Sequence, residues 1–186
     1  MGFIIGIVVL VVLLAIWFFG TYNSLVGLKM KTEEAFSTMD VYLKKRYDLI
    51  PNFVETVKGY AAHEQNTLTQ VIQARNQAYS SQTVSEKIEN ENALSGALSR
   101  LMVLTENYPQ LKADGNFIEL QRQLSSMEGE LAQSRKYYNA VVKQLNTRIH
   151  TFPSMIVAGF MGLSAQKFFE VSGPDERQNV KVDFSK

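Results

Sequence analysis

Apolar and polar residues alternate differently in three parts of this chain. From Gly2 to Gly20 no residue is charged, and Phe3 to Phe19 is apolar throughout. About 18–20 such residues in a helix rise ~27–30 Å, enough to cross a hydrocarbon core. Phe3, Ile7, Leu10, Leu14 and Phe18 build that expected anchor, and Trp17 and Tyr22 put amphipathic rings where the chain leaves the membrane. A cleaved signal peptide is the competing reading. No Lys or Arg precedes the run, however, and it ends on bulky Trp17-Phe18-Phe19 where a cleavage site needs small residues. The expectation is an uncleaved single-pass anchor over 1–20.

From Thr21 the apolar positions recur in alternating three- and four-residue steps: Leu25, Leu28, Thr32, Ala35, Met39, Tyr42 and Leu49. With no turn signal before Leu49, the anchor is expected to run straight into this helix. Pro51 disfavours helical geometry at Ile50 and suits the first turn of a new helix, so a break is expected at Asp48–Asn52, with Asp48 as a cap. The spacing predicts helices over 21–49, 51–79, 85–108 and 116–151, with Ser85 or Thr83 capping the third. The last has the cleanest register (Phe117, Leu120, Leu124, Met127, Leu131, Ser134, Tyr138, Val141, Leu145), a seam suited to coiled-coil-like packing. The predicted fold is all-α, a transmembrane helix continuous with an up-down antiparallel four-helix bundle over 21–151. A short apolar segment and an extended tail follow over 152–186.

Composition adds exclusions. A formal net charge of +1 with interleaved acids and bases gives no nucleic-acid signal. Absence of cysteine removes disulfides, a thiol nucleophile and thiolate metal sites. His63-Glu64 is not the start of HExxH, no Glu-x-x-His supports a di-metal site, and there is no phosphate loop or Ser-His-acid spacing. Expected, therefore, are no enzyme activity, no cofactor, no metal and no small-molecule substrate. Lys29 and Lys31 just after the span favour a cytoplasmic C-terminal domain, with the opposite orientation left open.

Tyr22-Asn23-Ser24-Leu25-Val26, the run Asp40-Val41-x-Leu43-Lys44-Lys45-Arg46-Tyr47-Asp48-Leu49-Ile50-Pro51-Asn52-x-Val54, Val57-Lys58-Gly59-Tyr60 and His63-Glu64 together resemble the signature of the LemA family. Tyr137-Tyr138-Asn139, Asn146, Phe152-Pro153-Ser154 and Val180-x-Val182-Asp183-Phe184 are similar to its C-terminal motifs. Tyr42 and Phe53 depart from the usual Gln and Leu. The resemblance implies a bacterial inner-membrane protein with one span and a helical domain. Such proteins form membrane-associated homo-oligomeric assemblies or act beside AAA-type chaperones in envelope stress; no catalytic residues come with the family.

Two stretches are candidate sites. The first is Asp40 to Glu64, an interaction surface carrying Asp40, Lys44, Lys45, Arg46, Asp48, Pro51, Asn52, Lys58, Tyr60, His63 and Glu64. Its basic run is more often a solvated face than a partner site. Arg46 with Asp48, and Glu64 with Arg75, are candidate internal ion pairs. The second is an apolar segment with Phe152, Pro153, Met155, Ile156, Phe160, Phe168 and Phe169, followed by Val180, Val182 and Phe184 in the tail. It either caps the bundle end, meets another protomer, or lies on lipid.

Overall fold

The computed structural model describes residues 1–170, and all of their regular structure is helical. Helix α1 runs Gly2–Lys58, α2 Gln65–Ser80, α3 Val84–Thr105, α4 Pro109–Lys112, α5 Gly115–His150 and α6 Ser154–Phe160. Among the described residues α1 is the one helix long and apolar enough to cross a membrane.

The expected break at Pro51 does not occur. Helix α1 passes through Pro51, so 21–49 is not a separate helix, Asp48 caps nothing, and the turn falls at Gly59–Glu64. The reason lies in the residues beyond the proline. Ile50, Phe53, Val54 and Val57 continue the stripe of Met39 and Leu43 in register, and all are buried. Burying a side chain of this size contributes ~1.5–3 kcal/mol, so four of them outweigh the ~3 kcal/mol cost of an interior proline. Pro51 lacks the N–H that would bond the Tyr47 carbonyl, and the Arg75 Nε–H fills the gap at 3.1 Å. After Lys58, Gly59 is a poor helix former, and Ala61 buries its methyl in a turn closed by Glu64 N–H to the Ala61 carbonyl at 3.0 Å. The second helix therefore starts at Gln65 instead of residue 51.

Of the two expected caps, Thr83 is the one that starts α3, whose first residue is Val84. The Thr83 hydroxyl accepts from the Glu86 amide (3.2 Å) and the Glu86 carboxylate accepts from the Thr83 amide (3.1 Å), a capping box. Those backbone donors hold the Glu86 carboxyl below its usual pKa.

The chain divides into two compact units. The first comprises Met1–Leu43 and Glu128–Phe168. In it α1 and α5 run antiparallel, because Leu25 packs with Leu145 and Ile149 while Phe36 meets Tyr138 edge-on at 5.9 Å, so ascent on one helix is descent on the other. The second unit takes Lys44–Met127 with Phe169 and Glu170. There α2 and α3 form a hairpin whose connector is tied by Asn90 Nδ2 to Ser81 Oγ (2.9 Å), and Phe53 of α1 stacks on Phe117 of α5 at 5.3 Å.

Candidate functional site

Two places carry the chemistry. In the second unit, Arg46 is 1% and Glu91 0% exposed, with Arg46 Nη1 2.8 Å from Glu91 Oε2. Tyr47 Oη donates to Glu91 Oε1 at 2.6 Å, and Arg46 Nη2 donates to Ser95 Oγ at 3.1 Å. Leaving either charge alone there would cost about 3–5 kcal/mol, so the group works as a lock between α1 and α3. Both ion pairs expected from the sequence are replaced. Arg46 pairs with Glu91 and not Asp48; Asp48 lies on the surface 3.9 Å from Arg75. Glu64 does not meet Arg75 but accepts from Tyr108 Oη at 3.3 Å. Burial first, then that carboxylate, raises the Tyr108 pKa. The Arg75 guanidinium instead bonds the Tyr47 carbonyl and stacks 5.0 Å over the Tyr79 ring.

The basic run is thereby split. Lys44 and Lys45 are exposed, and Arg46 is withdrawn into the core. Asn52, Lys58 and His63 are exposed, Asp40 and Pro51 half-buried, and Lys58 pairs with Glu55 at 3.2 Å. Tyr60 Oη donates to Asp114 Oδ2 at 2.9 Å, and Asp114 Oδ1 accepts from the Phe117 amide at 2.9 Å, capping α5. Sequence reasoning missed Glu91 and Asp114. Asp114 ahead of Gly115-Asn116-Phe117 is a legible cap; nothing local marks Glu91.

The second place is the end of the first unit beside the apolar run. Helix α5 ends at His150. Ser154 Oγ donates to the Arg148 carbonyl at 2.7 Å, near the end of the helix, and lies 2.9 Å from the Thr151 carbonyl, which accepts from the Met155 amide at 2.9 Å. After α6 the chain returns along α5. Asn146 holds it from both sides, its Oδ1 accepting from the Gln166 amide (2.8 Å) and its Nδ2 donating to the Gln166 carbonyl (2.9 Å). Tyr138 Oη donates to the Lys167 carbonyl at 3.1 Å, and burial raises its pKa. Tyr138, Asn146 and Ser154, all within the motifs quoted above, are thus the fasteners of this loop.

Helix α6 has two apolar faces. Val157 and Ala158 are buried against Leu25, Leu145 and Ile149, with Phe18, Leu28, Met161 and Leu163 around them. Phe152, Met155, Ile156 and Phe160 face outward, with Phe152 at 73% and Phe160 at 79% exposure. The Phe160 ring meets Phe18 edge-on at 5.8 Å. Phe18 belongs to the apolar run, so the outer face of α6 and the surface formed by Phe3, Ile7, Leu10, Leu14 and Trp17 are continuous and exposed. The segment therefore both closes a core and presents an apolar surface. Phe168 is exposed, whereas Phe169 is buried in the second unit; Val180, Val182 and Phe184 lie outside the described residues.

Comparison with known proteins matches residues 35–184 to the model of the LemA family. Protein LemA of Metamycoplasma hominis is 25% identical, the match covering 89% of this chain and 75% of that protein. Magnetosome protein MamQ 2 of Paramagnetospirillum magneticum is 22% identical, and magnetosome protein MamQ of Magnetospirillum gryphiswaldense 21%; each match covers 80% of this chain and 64% of the relative. The chain thus spans under two thirds of the magnetosome relatives' length.

Proposed function

The chain belongs to the LemA family, and from that footing we propose that it is a non-enzymatic, membrane-anchored scaffold, an up-down helical bundle on a single-pass stalk, that assembles laterally into a homo-oligomer in the bacterial inner membrane. The observation that carries this reading is the unbroken run of α1 from Gly2 to Lys58. One helix supplies both the apolar span and the stripe on which the folded residues pack. Within the first unit this helix carries both the apolar run and the buried Leu25, Ala35 and Met39, so the residues packed there stand at a fixed height from the span, as suits a part that acts by position.

Two features support the membrane half of the proposal. The outer face of α6 extends the apolar surface of the span sideways at the level of Phe18, a second contact with the lipid interface. Lys29 and Lys31 follow on the polar side, which favours a cytoplasmic body. Lateral assembly draws on Tyr22, Val26 and Met30, at four-residue spacing, which keep the apolar surface of α1 exposed for two turns beyond the span.

Because the chain has no cysteine, single-cysteine variants report contacts cleanly. Val26→Cys and Met30→Cys are expected to cross-link into dimers on oxidation of intact membranes. Chains that stay monomeric at both positions, under conditions where a thiol reagent labels them, would remove the lateral contact and this function with it.

A further inference from the structure

In the first unit an open groove of about 640 Å³ runs between α1 and α5, lined by Ser24, Gly27 and Lys31 on one side and Lys143, Thr147 and Arg148 on the other. No carboxylate lines it. Several surface cations elsewhere have an acid within a few residues, Lys29 with Glu33, Lys58 with Glu55, Lys112 with Glu106 and Arg122 with Glu119. Among the described residues Lys31, Lys143 and Arg148 have no carboxylate within ion-pair distance. The groove between Lys45, Asp48 and Arg122 in the second unit differs on this point, since it contains an acid and its arginine is paired.

Height distinguishes this groove from an ordinary solvated face. Ser24 lies five residues beyond Phe19, or ~7–8 Å along a helix. Headgroups occupy roughly 5–8 Å on each side of the hydrocarbon core. Leu25 packs on Leu145 and Ile149, which puts Arg148 at the level of Ser24. Lys31, twelve residues beyond Phe19 or ~18 Å along the helix, and Lys143 stand at the upper end, so that even with their stems turned back they act on a headgroup phosphate through their field and not by contact. A Cβ built on Gly27 meets no atom within 4 Å, so the wall there is open by the lack of a side chain.

We propose that this groove binds the phosphate headgroup of an anionic phospholipid from the membrane in which the chain is anchored. The proposal rests on the anchored reading above and adds to it a lipid class and a site. Arg148 and the Ser24 hydroxyl hold the phosphate as donors, and Lys31 and Lys143 supply the remaining field. Acyl chains then lie against the outer face of α6.

The test uses the full chain in nanodiscs of equal phosphatidylglycerol and phosphatidylcholine, released into detergent, with retained lipid read by native mass spectrometry. Phosphatidylglycerol is expected to be retained over phosphatidylcholine by about tenfold. The triple variant Lys31→Gln, Lys143→Gln, Arg148→Gln brings the ratio near one. Gly27→Leu, which favours the helix while filling the groove, does the same with the circular dichroism unchanged. No preference in the parent chain, or a preference that survives both variants, overturns the proposal. So does displacement of the lipid by millimolar inorganic phosphate, which would assign the groove to a free anion. Loss of the parent chain from carbonate-washed membranes would overturn the anchor and this proposal together, whereas an anchored chain without lipid preference overturns this proposal alone.

Discussion

Arg75 is placed by a backbone defect: the proline at position 51 deprives the Tyr47 carbonyl of its helical donor, and Arg75 Nε–H supplies one from α2 at 3.1 Å. An unsatisfied buried carbonyl costs ~1–3 kcal/mol, so Arg75→Leu is expected to destabilise the chain by about that amount in urea unfolding. In a Pro51→Ala background the new amide takes over, and the same substitution should cost less than half as much. Equal costs in the two backgrounds would refute the link. The charged residues show why individual partners were hard to read. Arg46 falls in the gap between Tyr42 and Leu49 of the apolar stripe and was a candidate for an internal ion pair, but its partner Glu91 lies on another helix with no local pattern pointing to it. Sequence neighbours such as Asp48 were the only candidates in view.

Among the elements, long stripes were legible and joints were not. Helix α5 spans Gly115–His150 as its periodicity foretells, and Leu124, Leu131, Tyr138 and Leu145 are buried where the register puts them. The joint was misplaced because proline chemistry was weighed without the apolar register that continues through Phe53 to Val57. The true turn at Gly59–Glu64 is held to the start of α5 by Tyr60 and Asp114. The Phe117 amide first, then the Tyr60 hydroxyl, holds the Asp114 carboxyl below its ordinary value of 3.8. The Asp114 hydrogen bond, chiefly, raises the Tyr60 pKa. A carboxyl with a lowered folded pKa adds stability above its unfolded pKa, and loses it as pH falls through the folded value. A phenol with a raised pKa adds stability below ~10 and loses it as pH climbs through its folded value. In Asp114→Asn the amide oxygen still accepts from the Phe117 amide, but Nδ2 cannot accept from Tyr60 Oη and the charge is gone, so the thermal midpoint near neutrality should fall while the acid decline below pH ~4 flattens. An unaltered acid limb would show that other carboxyls set it.

For the molecule as a whole, the apolar run long enough to cross a membrane was the plainest feature of the sequence, since a long uncharged stretch needs no partner to be recognised. What α6 faces was not legible, because a short apolar segment reads alike as cap, contact or interfacial helix; its inner face closes a core and its outer face is an exposed apolar surface. The central claim is that the chain works as many copies side by side, held at one height by a single unbroken helix. Mass photometry of particles cut from native membranes by an amphipathic copolymer, without detergent, measures that most directly. The account predicts particles many times the 21.0 kDa chain mass, shrinking when Met30 is replaced by Glu. A population holding one copy per particle, identical in the parent chain and the variant, would contradict it.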